Sequence, residues 1–278
     1  MKRILAIGEK SYIGKSFENF AKGKYEVKML SSRNQAWKSV DFTGYDTILH
    51  CAGIAHVSQN SRMKKVYYDI NCNLALDVAK KAQAEKVKQF IFLSSILIYG
   101  NNQMAIDHET IPHPNSFYGE SKLKAESELR KLTDDDFTLC IIRLPMVYGS
   151  NCKGNFYKLV NLAKITPIFP DYSNMRSMIY IGNLCNFLGN LIDNNAHGIF
   201  LPQNNEYVNT TALVCYIAKC YNRRIFTIKF FNPLINLLTK HFSFFLKLFG
   251  NLYYVKNNNK DNNMIDFEDS IKESLGIT

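Results

Sequence analysis

The sequence predicts an α/β protein built on a doubly wound parallel sheet. The chain opens with a short apolar run at 2–7, typical of a strand buried on both faces, which leads into a glycine turn at 8–14. Further apolar runs alternate with segments of helical periodicity. Polar residues follow several of these runs, at the carboxyl ends where parallel sheets bind ligands.

Each element is predicted from its periodicity. A long helix at 64–84 is the clearest, because apolar residues recur every four positions along it. A short helix at 267–275 closes the chain. The other expected elements are strands at 2–7, 25–30, 46–50, 87–93 and 137–142, and a helix at 12–22.

Composition narrows the class of protein. The 278 residues, 46% of them hydrophobic, suffice for one large or two modest domains. Seven cysteines without a C-x-x-C pair favour reduced thiols over disulfides or a metal site. The first apolar run is too short for a signal peptide, and no stretch is long and uncharged enough to span a bilayer. We therefore expect a cytoplasmic protein without a metal.

The net charge of +10 predicts an anionic partner. Nucleic acid, a membrane surface and an anionic small substrate would all satisfy it. The sequence has no zinc-finger spacing and no helix-turn-helix signature, and its aromatic residues are not interleaved with basic ones. We therefore expect no nucleic-acid partner.

Tyr118 and Lys122 are the candidate catalytic pair. Four residues apart on a helix, they share one face. The ammonium of Lys122 is expected to lower the phenol pKa from its usual ~10, which would make Tyr118 a general acid/base near neutrality. A serine at the end of the preceding strand, Ser94 or Ser95, could hold the reacting oxygen. Hydride transfer at a secondary alcohol needs these three groups.

The glycine turn is the second candidate site. Gly8 and Gly14 flank Ser11 between a predicted strand and a predicted helix. Such a turn presents backbone N–H groups and a helix N-terminus to a pyrophosphate.

Several motifs, taken in chain order, resemble the extended short-chain dehydrogenase/reductase family. The resemblance is to its nucleotide-sugar epimerases and reductases, typified by UDP-galactose 4-epimerase, and runs from residue 1 to about residue 215. The segments that carry it are the glycine turn, 48–53, Asn71, 93–95 with Tyr99-Gly100, 118–122, 143–149 and 176–181.

The resemblance implies a Rossmann domain at 1–149, with a returning segment near 176–195, and a smaller, mainly substrate-binding region at 150–278. The implied cofactor is NAD or NADP. The family often has an acid for the ribose at the end of strand two, where this chain has Ser31-Ser32-Arg33; Arg33 could instead pair with a 2′-phosphate. The implied cofactor-binding residues are Gly8, Ser11, Tyr12, Ile13, Gly14, Arg33, Asp41, Phe42, Cys51, Ala52, Gly53, Asn71, Tyr118, Lys122 and Pro145.

The resemblance also implies substrate contacts. Ser95 is preferred over Ser94 because it lies four residues before Tyr99, as in the 4-epimerases. Residues 167–170 would cover a uracil, and a guanidinium suits a bidentate phosphate contact. Met146 and Gly182 depart from the family pattern. The implied substrate-binding residues are Ser95, Tyr118, Asn155, Phe169 and Arg176.

The implied activity is 4-epimerisation of a UDP-hexose or UDP-N-acetylhexosamine. Two alternatives remain open. One is a 4-ketoreductase acting on a UDP-4-keto-6-deoxy sugar, and the other is an epimerase of a polyprenyl-diphosphate-linked sugar at a membrane surface. A non-enzymatic relative is disfavoured because both Tyr118 and Lys122 are present.

The segment 230–254 is rich in Phe and Leu, and its ionisable groups are Lys240, His241 and Lys247. Such a segment could pack on the substrate region, lie across a dimer interface or contact a membrane peripherally. We expect a homodimer, with membrane association through 230–254 as the sharper alternative.

Overall fold

A computed structural model describes residues 1–33, 35–55, 60–101, 104–256 and 262–277. The chain forms two compact units. Unit one consists of Met1–Gly100, Pro112–Leu144 and Ile181–Pro202, and unit two of Asn101–Ile111, Pro145–Tyr180 and Gln203–Thr278.

The strands of the described residues are short. They are β1 (Arg3–Ile7), β2 (Glu26–Leu30), β3 (Thr47–His50), β4 (Gln89–Ser95), β5 (Ala105–Ile106), β6 (Thr138–Leu144), β7 (Met146–Tyr148), β8 (Ile168–Pro170), β9 (Met178–Tyr180), β10 (Gly198–Phe200), β11 (Phe226–Ile228) and β12 (Tyr253–Tyr254). The helices are α1 (Tyr12–Phe20), α2 (Ser61–Tyr68), α3 (Leu74–Ala84), α4 (Phe117–Arg130), α5 (Asn155–Ile165), α6 (Ile181–Asp193), α7 (Thr210–Cys220), α8 (Asn232–His241), α9 (Ser243–Phe249) and α10 (Phe267–Leu275).

Unit one contains the sheet that the sequence predicted. Its six strands lie in the order β10-β6-β4-β3-β1-β2, and every neighbouring pair is parallel. The strand order reverses between β1 and β3, so the doubly wound topology is confirmed. The sixth strand, β10, was missed because three residues are too few to show a periodicity.

The predicted helix at 64–84 is interrupted in the structure. A π-helical turn at Asp69–Asn73 separates α2 from α3. Such a turn inserts an extra residue and changes the direction in which its side chains point. Here Asn71 becomes fully buried. The predicted helix thus lies within a helical segment that runs over 61–84, and apolar periodicity carries no signal for the π turn inside it.

Unit two is built from small two-stranded sheets and helices. β7 pairs with β9, β8 with β11 and β5 with β12, each in parallel. Tyr148 of β7 shares a 2.6 Å hydrogen bond with Ser270 of α10 and accepts another from Asn204. No helix in the described part of the chain is long and apolar enough to cross a membrane.

A buried ion pair ties three elements of unit one together. Arg143 of β6 donates from Nη2 to Oε2 of Glu126 on α4 at 2.7 Å. The two side chains are 6% and 1% exposed. Glu126 also accepts from Ser94 of β4 at 2.5 Å, and Arg143 donates to Tyr99 at 2.5 Å. Both charges therefore have partners in the core.

Removing one partner of this pair should strongly destabilise the protein. Glu126→Ala leaves the Arg143 charge buried without compensation, which costs about 3–5 kcal/mol. The expected result is a large fall in the urea midpoint of unfolding. Glu128→Ala on the same helix removes solvent-exposed pairs with Lys124 and Lys131 and should change the midpoint little. Equal midpoints for the two variants would contradict the structural role of the pair.

Candidate active site

The start of α4 packs closely against the turn that follows β4. Ser116 caps the helix by accepting a hydrogen bond from the amide of Gly119 at 3.1 Å. A Cβ on Gly119 would lie 2.5 Å from the carbonyl oxygen of Leu97, so this approach needs a glycine. The close packing brings the Tyr118 phenol close enough to Ser95 for the serine to influence the phenol pKa.

The two serines at the end of β4 have different partners. Ser94 donates to Glu126 at 2.5 Å and lies in the buried ion-pair cluster. Ser95 accepts from the amide of Leu97 at 3.2 Å and lies beside Tyr118, whose pKa it lowers against the larger effect of burial. The geometry therefore brings Ser95, and not Ser94, to the tyrosine.

Lys122 lies one turn beyond Tyr118 and is 4% exposed. Its ammonium donates to the carbonyl oxygen of Leu93 at 2.8 Å, and burial lowers the Lys122 pKa to about 8. Burial also raises the pKa of Tyr118, against the smaller opposing effect of the Ser95 hydrogen bond. The predicted lowering of the Tyr118 pKa is therefore wrong for this structure, in which Leu93 receives the ammonium.

Asn71 holds the segment after β3 beside α4. Its Oδ1 accepts from the amide of Ile54 at 2.9 Å, and its Nδ2 donates to Ser121 at 3.0 Å. A Cβ on Gly53 would lie 3.1 Å from Asn71 Oδ1 and 3.3 Å from Lys122 Nζ. Asn71 was predicted to bind the cofactor. In the structure its amide oxygen and nitrogen instead form hydrogen bonds with protein groups, and it positions the backbone of Gly53.

The glycine turn packs on the loop that follows β3. Gly8 has a φ of +120°, and a Cβ there would lie 2.9 Å from the amide nitrogen of Ala52. Its own amide donates to Leu30 at the end of β2 at 2.8 Å. A Cβ on Gly14 would lie 2.9 Å from the Met29 side chain. Only glycine fits both positions without displacement of these neighbours.

Helix α1 begins within the glycine turn. Ser11 is the N-cap, and its hydroxyl accepts from the amide of Gly14 at 3.3 Å. Tyr12 and Ile13 begin the helix, so their amides lie in the first turn, where intrahelical partners are lacking. Burial raises the pKa of Cys51 to about 12, so this thiol stays neutral beside Ser11.

Residues predicted to hold the adenosine end have mixed surroundings. Arg33 is exposed and lies shortly after β2. The last residue of β2, Leu30, accepts a hydrogen bond from the Gly8 amide through its carbonyl oxygen. Asp41 is exposed, and hydrogen bonds from Thr43 lower its pKa. Phe42 is fully buried, and its ring packs in the hydrophobic core. Its backbone amide donates to Glu85 at 2.5 Å.

Two predicted substrate residues meet in unit two. Asn155 and Arg176 both line a cavity of about 260 Å³. Arg176 donates from Nη1 to the carbonyl oxygen of Gly250 at 2.9 Å, while its Nε is buried without a hydrogen-bond partner among the described residues. Burial lowers its pKa to about 10, so the guanidinium remains charged at neutral pH.

Two other predicted residues of unit two lie elsewhere. Phe169, expected to cover a uracil, is buried in β8 with its ring 5.9 Å from that of Phe249. Phe169 is not one of the described residues that line the cavity. Pro145, predicted to bind the cofactor, begins the second segment of unit two, next to Met146, which lines the cavity.

The sequence analysis missed three residues. Glu126 lies four positions beyond Lys122, a helical spacing that could have revealed it. Lys158 lies three positions beyond Asn155 on α5 and lines the same cavity. Lys247 of α9 also lines it, and no local sequence signal connects it with that cavity.

The residues of unit one fit a dinucleotide. The amino end of α1 is a helix N-terminus, which suits a pyrophosphate. The Gly8 backbone lies against the loop after β3, and no side chain stands between them. Arg33 and Asp41 offer charged groups near the strand ends, and Lys122 offers a buried ammonium.

Comparison with known proteins supports this interpretation. A protein of Escherichia coli O157:H7 named N-acetyl-alpha-D-glucosaminyl-diphospho-ditrans,octacis-undecaprenol 4-epimerase is 27% identical over 276 residues, which cover 91% of this chain and 82% of the relative. UDP-glucose 4-epimerase of Vibrio cholerae is 32% identical over 182 residues, 62% of this chain and 56% of the relative.

A solved structure shows the same fold over the whole chain. It is a dTDP-4-dehydrorhamnose reductase of Clostridium acetobutylicum, with a TM-score of 0.77 and 17% identity, and the match covers 99% of this chain and 98% of that one. The predicted Rossmann fold is thus confirmed by comparison.

The family model described as NAD dependent epimerase/dehydratase matches residues 4–199, more than half of the chain. The resemblance inferred from the motifs is confirmed, and so is the nicotinamide dinucleotide cofactor. The chain is an NAD(P)-dependent enzyme, and it belongs to the NAD-dependent epimerase/dehydratase family.

Proposed function

We propose that this protein is a 4-epimerase of a diphosphate-linked hexose or N-acetylhexosamine, such as a UDP-hexose or UDP-N-acetylhexosamine. The observation that carries the proposal is the placement of Tyr118 beside Ser95, with Lys122 one helical turn away. The two curated relatives described above are named as 4-epimerases, which supports epimerisation over reduction.

The proposed roles follow from the chemistry of a secondary alcohol. When bound, an oxidised nicotinamide would supply a reversible hydride acceptor for C4. Tyr118 takes the proton of the C4 hydroxyl as the C–H bond breaks, and Ser95 hydrogen-bonds the oxygen that becomes a ketone. Lys122 holds the nicotinamide ribose. After the 4-keto sugar turns over, Tyr118 returns the proton as hydride adds to the other face.

Unit two is proposed to hold the rest of the substrate. Asn155 and Arg176 share a cavity, and the unpartnered Nε of Arg176 suits a phosphate oxygen. Unit one, with the returning segment that contains α6, is proposed to hold the cofactor. The units divide after Leu144 rather than at the predicted residue 149, and the segment that returns to unit one is Ile181–Pro202.

We also propose that the protein is a cytoplasmic homodimer that contacts a membrane peripherally through 230–254. Exposed side chains such as Phe230 and Phe244 support an external contact for this segment. Sedimentation velocity tests the dimer; a monomer at micromolar concentration would contradict it.

The function is tested by a proton NMR time course. Purified protein receives UDP-glucose or, separately, UDP-N-acetylglucosamine, with NAD in catalytic amount. A galacto anomeric signal that grows without net NADH identifies a 4-epimerase. A 4-ketoreductase would leave both sugars unchanged and would instead consume stoichiometric NADPH with a UDP-4-keto-6-deoxy sugar.

Tyr118→Phe should abolish turnover, because it removes the group that exchanges the C4 proton. We expect a fall in kcat of at least ~10²-fold, with NAD affinity changed by less than about twofold. Tyr68→Phe is the control, since Tyr68 only donates a long 3.5 Å bond to Glu120. Substantial activity in Tyr118→Phe would overturn the mechanism.

NAD affinity should fall as pH rises through about 8, the Lys122 pKa. The Lys122 ammonium is charged below this pH and neutral above it, so a charged donor to the ribose is lost at high pH. One proton can change the dissociation constant up to about tenfold between about pH 7 and 9. Titration calorimetry should show this slope, and Lys122→Met should lack it.

Lys124→Met provides the matched control for Lys122. Lys124 is an exposed residue of the same helix, so its variant should retain the wild-type pH profile. A slope that survives in Lys122→Met would assign the titration to another group.

Arg33→Ala should weaken NADP more than NAD. The reason is that Arg33 follows β2 without an acidic neighbour and is proposed to pair with the 2′-phosphate. Losing a charge-assisted phosphate contact costs about 1.5–3 kcal/mol, roughly a tenfold or larger effect on NADP. Equal effects on the two cofactors in a binding titration would remove this role.

A further inference from the structure

We propose that the carrier of the sugar is a membrane lipid diphosphate, and that α8 and α9 dock the protein on an anionic bilayer to reach it. This inference rests on the proposed 4-epimerase function and names its substrate class. The docking surface, called here the apolar face, consists of Phe230, Phe231, Leu234, Leu237, Phe242 and Phe244.

The cavity of unit two has the charge that a diphosphate needs. Three cations line it, Lys158 of α5, Arg176 and Lys247 of α9. None of the described residues in its wall carries a carboxylate. Because the Arg176 Nε is buried without a partner there, one guanidinium donor remains for a ligand.

One helix forms part of both the cavity wall and the apolar face. Phe244, Lys247 and Leu248 of α9 line the cavity, while Phe244 is also 62% exposed. A ligand whose diphosphate meets Lys247 would therefore have an apolar surface beside it on the same helix. A lipid chain matches that surface, whereas a nucleoside brings polar groups to it.

α9 is anchored firmly at its carboxyl end. The carbonyl oxygen of Leu248 accepts from Thr210 at 2.7 Å, and that of Gly250 accepts from Arg176 at 2.9 Å. Phe249 is buried, with its ring 5.9 Å from Phe169 and 5.3 Å from Tyr172. The ring expected to cover a uracil thus supports α9.

The apolar face is large, and its charge suits an anionic surface. Its six side chains are between 43% and 82% exposed. The segment 230–249 carries Lys240, His241 and Lys247 and contains no Asp or Glu. Two copies of this face would bring like charges together, whereas an anionic bilayer complements them and accepts the phenylalanines.

Vesicle binding tests the docking surface. Wild-type protein should co-sediment with vesicles of phosphatidylcholine containing phosphatidylglycerol, and more weakly with phosphatidylcholine alone. Phe230→Ser/Leu237→Ser should weaken this binding at least roughly tenfold, because two large apolar side chains are lost from the docking surface. Ile165→Ser is the control, because Ile165 is an exposed apolar residue of α5 outside the face. Unchanged NAD affinity shows that the double variant is folded.

The substrate is tested by comparing two carriers of the same sugar. N-acetylglucosaminyl-diphospho-undecaprenol in these vesicles should be epimerised with a higher kcat/KM than UDP-N-acetylglucosamine. Phe230→Ser/Leu237→Ser should slow the first reaction and leave any turnover of the second unchanged.

The outcomes separate this inference from the proposed function. Faster turnover of the UDP sugar would overturn the lipid carrier and leave the 4-epimerase standing. Vesicle binding that is absent, or unaffected by the double variant, would overturn the docking surface; a monomer produced by that variant would assign the face to a dimer. Turnover of neither carrier would instead count against the 4-epimerase itself.

Discussion

The candidate active site depends on one buried carboxylate. Glu126 accepts hydrogen bonds from Ser94 of β4 and Arg143 of β6, and it belongs to α4, the helix that carries Tyr118. A charge that is 1% exposed requires these partners, since an unpaired buried carboxylate is costly. These hydrogen bonds hold the ends of β4 and β6 against α4. Ser94 is committed to this cluster, which leaves its neighbour Ser95 for the tyrosine.

Close backbone approaches complete the same site. Glycine at position 119 lets α4 begin against Leu97, and glycine at position 8 lets the first turn lie against Ala52. Asn71 then uses its amide to hold Ile54 beside α4. These contacts place rigid backbone, rather than mobile side chains, around the groups that are proposed to meet the cofactor.

Unit two uses its aromatic residues for a different purpose. Phe169 and Tyr172 hold Phe249 in the core, while Phe244 of the same helix is exposed. The same helix contributes Lys247 to a cavity lined by cations. Phe169, which the family resemblance implied would cover a uracil, packs against Phe249 in this chain. The exposed apolar side chains belong to the apolar face of α8 and α9.

The sequence by itself determined the parallel sheet, the glycine turn and the identity of the Tyr118–Lys122 pair, because strand and helix periods and a four-residue spacing are local properties. Tertiary structure decided the rest. The π-helical turn at Asn71, the raised pKa of Tyr118, the partner of Lys122 and the meeting of Lys158 with Lys247 all depend on residues distant in sequence. Burial and hydrogen bonding across the fold set them, and local spacing does not encode either.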